Sequence, residues 1–364
     1  MNAQSTHETA SRRRNRNRGC PIDPGGVVRC VLAALAALAL HSGAHAAVLL
    51  NGSGSASAFP LYSKWVEAFH QHEPEILVSY ASTGSGPGVA NITTGTTDFG
   101  ASDGPMPDTE LRGLTVPILH FPSAIGAVVV TINVNHIDRL RLDPQTIADI
   151  FLGKITNWKD PAFRRNTTMP LPDAPITVVH RGDPSGTTYI FTDYLSKVSP
   201  EWQTTVGRGP RVKWPVGLVG QGDEGVADLV QHTENSIGYV ELAYSEQHDL
   251  PCAGVLNRAG QYVLPSLASV RAAAAAAAAN MSRDFRVSLT DADGPDAYPI
   301  ASFTWLLVPA HFHDAARGEA MKKFFEWMLA DGQALAPALL YAPLPAQVVA
   351  QERDAIAKVH VDAE

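Results

Sequence analysis

An α/β fold, with helices layered on a sheet, is what this sequence predicts, and three observations predict it. The unit of short strand, Gly/Ser-rich loop and helix occurs twice between residue 47 and residue 95, and the stretch 177–195 is a third instance. Two strongly apolar, partly β-branched runs, 125–134 (IGAVVVTINV) and 300–308 (IASFTWLLV), have the composition of buried strands. A chain of 364 residues with 45% hydrophobic and 18% charged residues can bury a sizeable core, enough for about two domains at roughly 150 residues each.

The first 46 residues differ from the rest. Arg12, Arg13, Arg14, Arg16 and Arg18 precede an apolar run from Val31 to Leu40, and Ala44-His45-Ala46 forms an A-x-A cleavage site. This is the pattern of a secretory signal peptide, with an apolar run too short to span a bilayer. Cleavage after Ala46 removes six of 28 basic and two of 36 acidic residues, leaving 22 and 34, a net charge of −12. So acidic a body has no broad electrostatic reason to hold nucleic acid or anionic membrane. Only Cys252 remains after position 46, so no intramolecular disulfide forms there; it is expected as a small buried apolar residue.

Val48–Leu50 predicts the first strand, 51–57 (NGSGSAS) a loop, and 61–70 a helix with Tyr62, Trp65, Val66 and Phe69 on one face. Ile76–Val78 is the next strand, 82–88 (STGSGPG) a second loop, and 89–92 opens a helix. The stretch 98–103 reads as a strand ending on an acid. Asp143-Pro144 starts a helix carrying Ile147, Ile150 and Phe151 that stops at Gly153. The run 217–225 is a Gly-rich loop ahead of a helix with Val226, Leu229 and Val230, and 237–244 (IGYVELAY) returns to strand character. The alanine tract 272–279 is a strong helix former with little to pack, read as a tolerated insertion. Two helices close the chain, around 324–328 and 348–357.

The chemistry concentrates in 177–195 (TVVHRGDPSGTTYIFTDYL). Thr177–Val179 predicts a strand, and Asp183 with Pro184 predicts the N-cap and first position of a helix whose apolar face carries Ile190, Phe191, Tyr194 and Leu195. Between them stand Arg181, Ser185, Gly186 and Thr187. A helix N-terminus offers unpaired N–H groups and partial positive charge, Gly186 permits close approach, and Arg181 supplies a planar fork. Together these make one wall of a pocket for a tetrahedral oxyanion. Taken singly, each has a plainer reading: a capped helix, a surface Arg181–Asp183 pair, a flexible 84–88 turn, a solvated Asp103. The loop 84–88 lacks the spacing of a dinucleotide site, and the exposed helix end His70-Gln71-His72 reads as solvated rather than metal-binding.

Over essentially its whole length after residue 46, the chain resembles the periplasmic phosphate-binding proteins of ABC-type uptake systems. The stretches that carry the resemblance are 52–65 (GSGSASAFPLYSKW), 80–89 (YASTGSGPGV), 96–106 (TTDFGASDGPM), 148–158 (ADIFLGKITNW), 178–195, 212–231 (VKWPVGLVGQGDEGVADLVQ) and 237–244. The resemblance implies a two-lobed α/β fold of the type II periplasmic-binding-protein class, each lobe a mixed sheet flanked by helices, with the ligand in the cleft between. It implies a first lobe of 47–126 with 300–364 and a second of 127–299 that includes the alanine tract. Phosphate ligands carry over onto Ala56, Ser57, Ser85, Asp103, Arg181, Ser185, Gly186 and Thr187, with Asp183 holding Arg181. At Ala56 some relatives have Thr; Ala56 offers only its N–H, and the hydroxyl falls to Ser55 or Ser57. His180 stands where some relatives have a second Arg. The implied function is high-affinity capture of inorganic phosphate in the periplasm and delivery to inner-membrane permease subunits by a monomer, with no catalysis, cofactor or metal.

An ionised Asp103 can only accept hydrogen bonds, so it rewards the O–H that phosphate keeps near neutral pH and repels sulfate, which has none. The rival readings are a secreted phosphatase-like hydrolase using Ser185, against which the chain has no G-x-S-x-G elbow and no H-E-x-x-H, and a binder of another tetrahedral oxyanion such as arsenate.

Overall fold

Runs of small and β-branched residues that end at Gly or Ser make the short strands from which this fold is built. The structure is a computed structural model that describes residues 47–165, 167, 170–278 and 281–363, so the signal expected over 1–46 lies outside the described residues. The strands in chain order are β1 (Val48–Gly54), β2 (Ile76–Ser82), β3 (Phe99–Ser102), β4 (Ile118–Asn133), β5 (Arg141–Leu142), β6 (Thr177–Arg181) and β7 (Leu218–Gly220). They continue as β8 (Ser236–Glu241), β9 (Gly254–Leu256), β10 (Tyr262–Val263), β11 (Ala301–Pro309), β12 (His311–Phe312) and β13 (His360–Val361).

Eight of them form one sheet in the order β2-β1-β3-β11-β4-β8-β6-β7. β1 runs parallel to β2 and β3, and β6 runs parallel to β7 and β8. The two groups meet through β4, sixteen residues long. Its first part, Ile118–Ala127, pairs antiparallel with β11, and its last part, Val128–Asn133, pairs antiparallel with β8. Each group has its own aromatic core. On the β1 side Phe69 meets Phe324 edge-on at 5.1 Å; on the β6 side Phe151 meets Phe191 at 4.8 Å, and Phe191 stacks on Tyr239 at 4.4 Å. Trp65, Trp158 and Trp202 are fully buried. Burying rings of this size is worth several kcal/mol each, roughly 3–5 by the cost of truncating one.

Several boundaries differ from expectation. β1 extends through Gly54, so the first loop is only Ser55–Ala58 before the helix Phe59–His72. The helix after β2 begins at Ser85 and takes in Gly86 and Gly88, which had read as loop. Gly88 is needed there, since a Cβ would sit 2.5 Å from the Gly54 Cα. Asp183 is not the N-cap of the next helix: Arg181 claims its carboxylate, and Ser185 caps Gly186–Val198 by accepting from the Thr188 N–H at 3.2 Å. The stretch 217–225 is β7 followed at once by the helix Gly222–His232, and 237–244 is β8 followed by a helix, Leu242–Gln247, that Glu241 caps. The alanine tract does not decorate a surface. It is the helix Leu267–Ala278, whose buried Ala273, Ala274 and Ala277 let it pack on β4 and β11. Cys252 is half-buried rather than buried; its thiol lies 3.3 Å from the Ser245 Oγ, and burial pushes its pKa up to about 11.

Candidate oxyanion-binding site

Every residue the sequence nominated lies at or just past the carboxyl end of a parallel strand or at the start of the helix that follows, where this kind of sheet leaves an open crevice. Asp103 follows β3 and is 1% exposed. Its carboxylate is held entirely by hydroxyls. The Ser55 Oγ donates to both oxygens at 2.7 Å, the Ser57 Oγ to Oδ2 at 2.7 Å, the Thr304 Oγ1 to Oδ1 at 2.5 Å, and the Ser85 Oγ to Oδ2 at 3.3 Å. Burial pushes its pKa up, and the hydroxyls of Thr304, Ser57 and Ser55 pull it part of the way back. A shift in register between Thr304 and Trp305, where β11 meets β4, accompanies the turn of Thr304 toward the acid.

Arg181, at the end of β6, is equally buried, with 3% exposed. Its Nε and one terminal nitrogen form a fork on Asp183 at 2.9 and 2.6 Å, and the other terminal nitrogen donates to the Asp223 Oδ2 at 2.5 Å. Burial alone would lower the guanidinium's pKa, but Asp223 and Asp183 together raise it, and Arg181 in turn holds the Asp183 carboxyl below its ordinary value. The Thr187 Oγ1 joins this network, donating to Asp223 at 3.0 Å and accepting from Arg181 at 3.2 Å. Thr187 therefore braces the cation from beside it. The Ser185 Oγ accepts the cap hydrogen bond, which leaves its own hydrogen free to donate.

Gly186 closes the arrangement. A Cβ there would lie 2.1 Å from the Asp103 Oδ2 and 2.4 Å from the Ser85 Oγ, so only hydrogen fits. The loops touch again at Gly84 and Gly86, whose Cβ positions would fall 2.7 Å from the Pro184 O and 2.9 Å from the Pro184 Cβ. The starts of the helices Ser85–Thr93 and Gly186–Val198 thus converge on Asp103 and bring the partial positive charge of two helix N-termini to it. Ala56 sits on the rim, half-buried, its carbonyl accepting from the Tyr244 hydroxyl at 3.1 Å. A cleft of about 850 Å³ opens beside Ser85 and Gly86 and is bordered by Tyr189, Arg208 and Arg286. His180 stacks on Trp214 at 4.9 Å, and burial lowers its pKa, so it adds no charge here.

Residues 41–332 match the PBP superfamily domain. The chain is 44% identical over 307 residues to "Phosphate-binding protein PstS" of Xylella fastidiosa strain Temecula1, covering 84% of each chain. The protein belongs to the PstS family of phosphate-binding proteins. A second PstS relative, from Pasteurella multocida, is 43% identical, covering 82% of this chain and 87% of its own. Among solved structures, a putative phosphate ABC transporter substrate-binding protein with bound phosphate from Clostridium perfringens shares the fold, with TM-score 0.59, 21% identity and coverage of 82% and 100%. The two-lobed α/β class read from the sequence is therefore the class of this chain, and PstS proteins are substrate binders, not enzymes.

Within this PstS-family site the sequence reading missed two partners and left a third undecided. Asp223 had the signal of an acid opening a helix after a Gly-rich loop, but nothing in its spacing paired it with Arg181. Thr304 lies in an apolar strand 201 residues from Asp103 and gave no local signal. Of the two candidates for the hydroxyl absent at Ala56, both Ser55 and Ser57 reach Asp103.

Proposed function

We propose that the protein captures inorganic phosphate in the periplasm and delivers it, as a monomer, to the inner-membrane permease subunits of an ABC-type uptake system. The donors would be the Ala56 N–H, Ser57, Ser85, Arg181, Ser185, Gly186 and Thr187, with Ser57, Ser85 and Thr187 giving their backbone N–H groups or turning their single hydroxyl hydrogens from Asp103 and Asp223 to the ion, and the acceptor would be Asp103. The first lobe, 47–126 with 300–364, and the second, 127–299, would close on the ion by bending where β4 passes from β11 to β8.

One observation carries this reading: the pocket's carboxylate and its guanidinium do not neutralise each other. Asp103 is held by hydroxyls, while Arg181 is held by Asp183 and Asp223. An ionised Asp103 then needs a ligand that brings its own O–H, and both charge states of phosphate near pH 7 do so. Sulfate would set a bare oxygen against a buried anion. With the cation's charge already offset, aimed hydrogen bonds must supply the affinity. Micromolar binding needs about −8 kcal/mol, and charge-assisted bonds give roughly 1.5–3 kcal/mol each.

Calorimetric titration with phosphate, arsenate and sulfate tests this. One phosphate or arsenate should bind per chain, and sulfate should not compete. Asp103→Asn exchanges an acceptor for an amide that can also donate, and should narrow the phosphate-to-sulfate affinity ratio by about tenfold or more, roughly 1.4 kcal/mol. An unchanged ratio would remove Asp103 from the discrimination.

A further inference from the structure

A second cluster of ligating side chains lies at the other end of the chain, where the parallel pairing of β12 with β13 sets His311 beside His360 and Phe312 beside Val361. Strand side chains alternate between faces with a period of two. Phe312 and Val361 therefore turn inward together, onto Gly318, where a Cβ would lie within 3.0 Å of both side chains. His311, His313, His360 and Asp362 are left together on the outer face. The His311 Nε2 is 2.6 Å from one Asp362 oxygen, the His313 Nδ1 is 3.0 Å from the other, and the His360 Nε2 is 3.4 Å from the first. The His311 ring centroid lies 4.2 Å from that of His313 and 4.6 Å from that of His360.

We propose that His311, His313 and Asp362 form a binding site for a divalent transition-metal ion of the zinc class, with His360 poised as a fourth ligand. Among the described residues this is the one group of three His, Cys, Asp or Glu whose ligand atoms all lie within 4.8 Å of one another. Metal–ligand distances near 2.0–2.1 Å place the ligand atoms of a tetrahedral zinc about 3.3 Å apart. The separations on Asp362, from 2.6 to 3.4 Å, bracket that spacing, and the ligand atoms of the three residues all lie within 4.8 Å of one another, so side-chain rotation has to close what remains. Two or three imidazoles with one carboxylate favour zinc, cobalt, nickel or copper over calcium or magnesium, which prefer all-oxygen shells. His311 on β12 and His313 just past its end, joined by His360 on β13 and Asp362 just past that strand's end, make a preformed plate. The hydrogen bonds of β13 to the Ala310 and Phe312 carbonyls fix its register.

Zinc titration of the metal-stripped full chain, with competition by a chelating dye, tests the site. His7, His41, His45, Cys20 and Cys30 precede residue 47 and can bind zinc by themselves, so the variants carry the test. His313, 76% exposed, can be changed without disturbing the fold. His313→Ala and Asp362→Asn should each weaken one zinc equivalent by tenfold or more. The same substitutions should remove a cobalt absorption band of nitrogen/oxygen type. His360→Ala should weaken it less, and His72→Ala, on an exposed helix end, should leave it unchanged. Phosphate titration should be the same with and without zinc. Zinc affinity within twofold of the parent in both His313→Ala and Asp362→Asn would overturn the proposal and leave the cluster a set of histidine–aspartate surface pairs.

Discussion

Arg181 illustrates how a single side chain serves both stability and binding. It is the shared cation of two carboxylates, of which Asp223 has no exposed side chain. Arg181→Ala should therefore destabilise the protein by about 3–5 kcal/mol, since it leaves a buried carboxylate uncompensated. Phosphate affinity should also fall by about a hundredfold or more, the equivalent of losing one or two charge-assisted bonds. Denaturant unfolding and calorimetric titration read the two effects separately. An affinity within twofold of the parent would mean that the guanidinium serves only the fold.

At the scale of elements, the site depends on how closely two helix N-termini approach one acid. The Ser85 and Gly186 ends belong to opposite groups of strands and meet at Asp103 with no room for a methyl group at 186. Gly186→Ala gains at most about 1 kcal/mol in helix propensity, but its methyl would overlap Asp103 and Ser85, so the variant should melt no higher than the parent. Its phosphate affinity should drop by about a hundredfold or more, close to 2.7 kcal/mol, because the helix start must retreat from Asp103. Unchanged affinity in that variant would show that the approach of these two elements is not required for binding.

For the molecule as a whole, buried acids shape the pH response. Glu352 is fully buried, neither of its oxygens has a hydrogen-bond partner, and burial raises its pKa well above the ordinary value. A carboxyl whose pKa is raised on folding contributes stability below its unfolded value and loses that contribution as pH rises through the folded one. Glu352→Met keeps the volume and removes the charge. It should stabilise the protein at pH 8 by roughly 1–3 kcal/mol and by less at pH 5, as read by denaturant unfolding at the two pH values. A gain that is equal at both, or larger at pH 5, would contradict the burial argument. Contacts that join distant stretches also act at this scale: Arg286 donates to the Met106 carbonyl at 2.9 Å and pairs with Asp108 at 2.7 Å across the cleft mouth.

The sequence by itself determined the α/β alternation, the helix beginning at Pro144 with Asp143 as cap, and the nomination of Asp103, Arg181, Ser185, Gly186 and Thr187, while Ser85 entered through the family resemblance. Those features rest on local chemistry: period, turn residues, capping and the needs of a helix N-terminus. Only the tertiary structure decided who partners whom. Asp183 could serve as a cap or as a counter-ion, and the choice fell to the stronger, charge-assisted bond with Arg181. The alanine helix looked dispensable until β4 and β11 were seen to need small side chains against them. Thr304 and Asp223 reach the site through pairings between residues far apart in the chain, as do the four side chains gathered on and just past β12 and β13. Such contacts are set by sheet register and packing, which no window of neighbouring residues encodes.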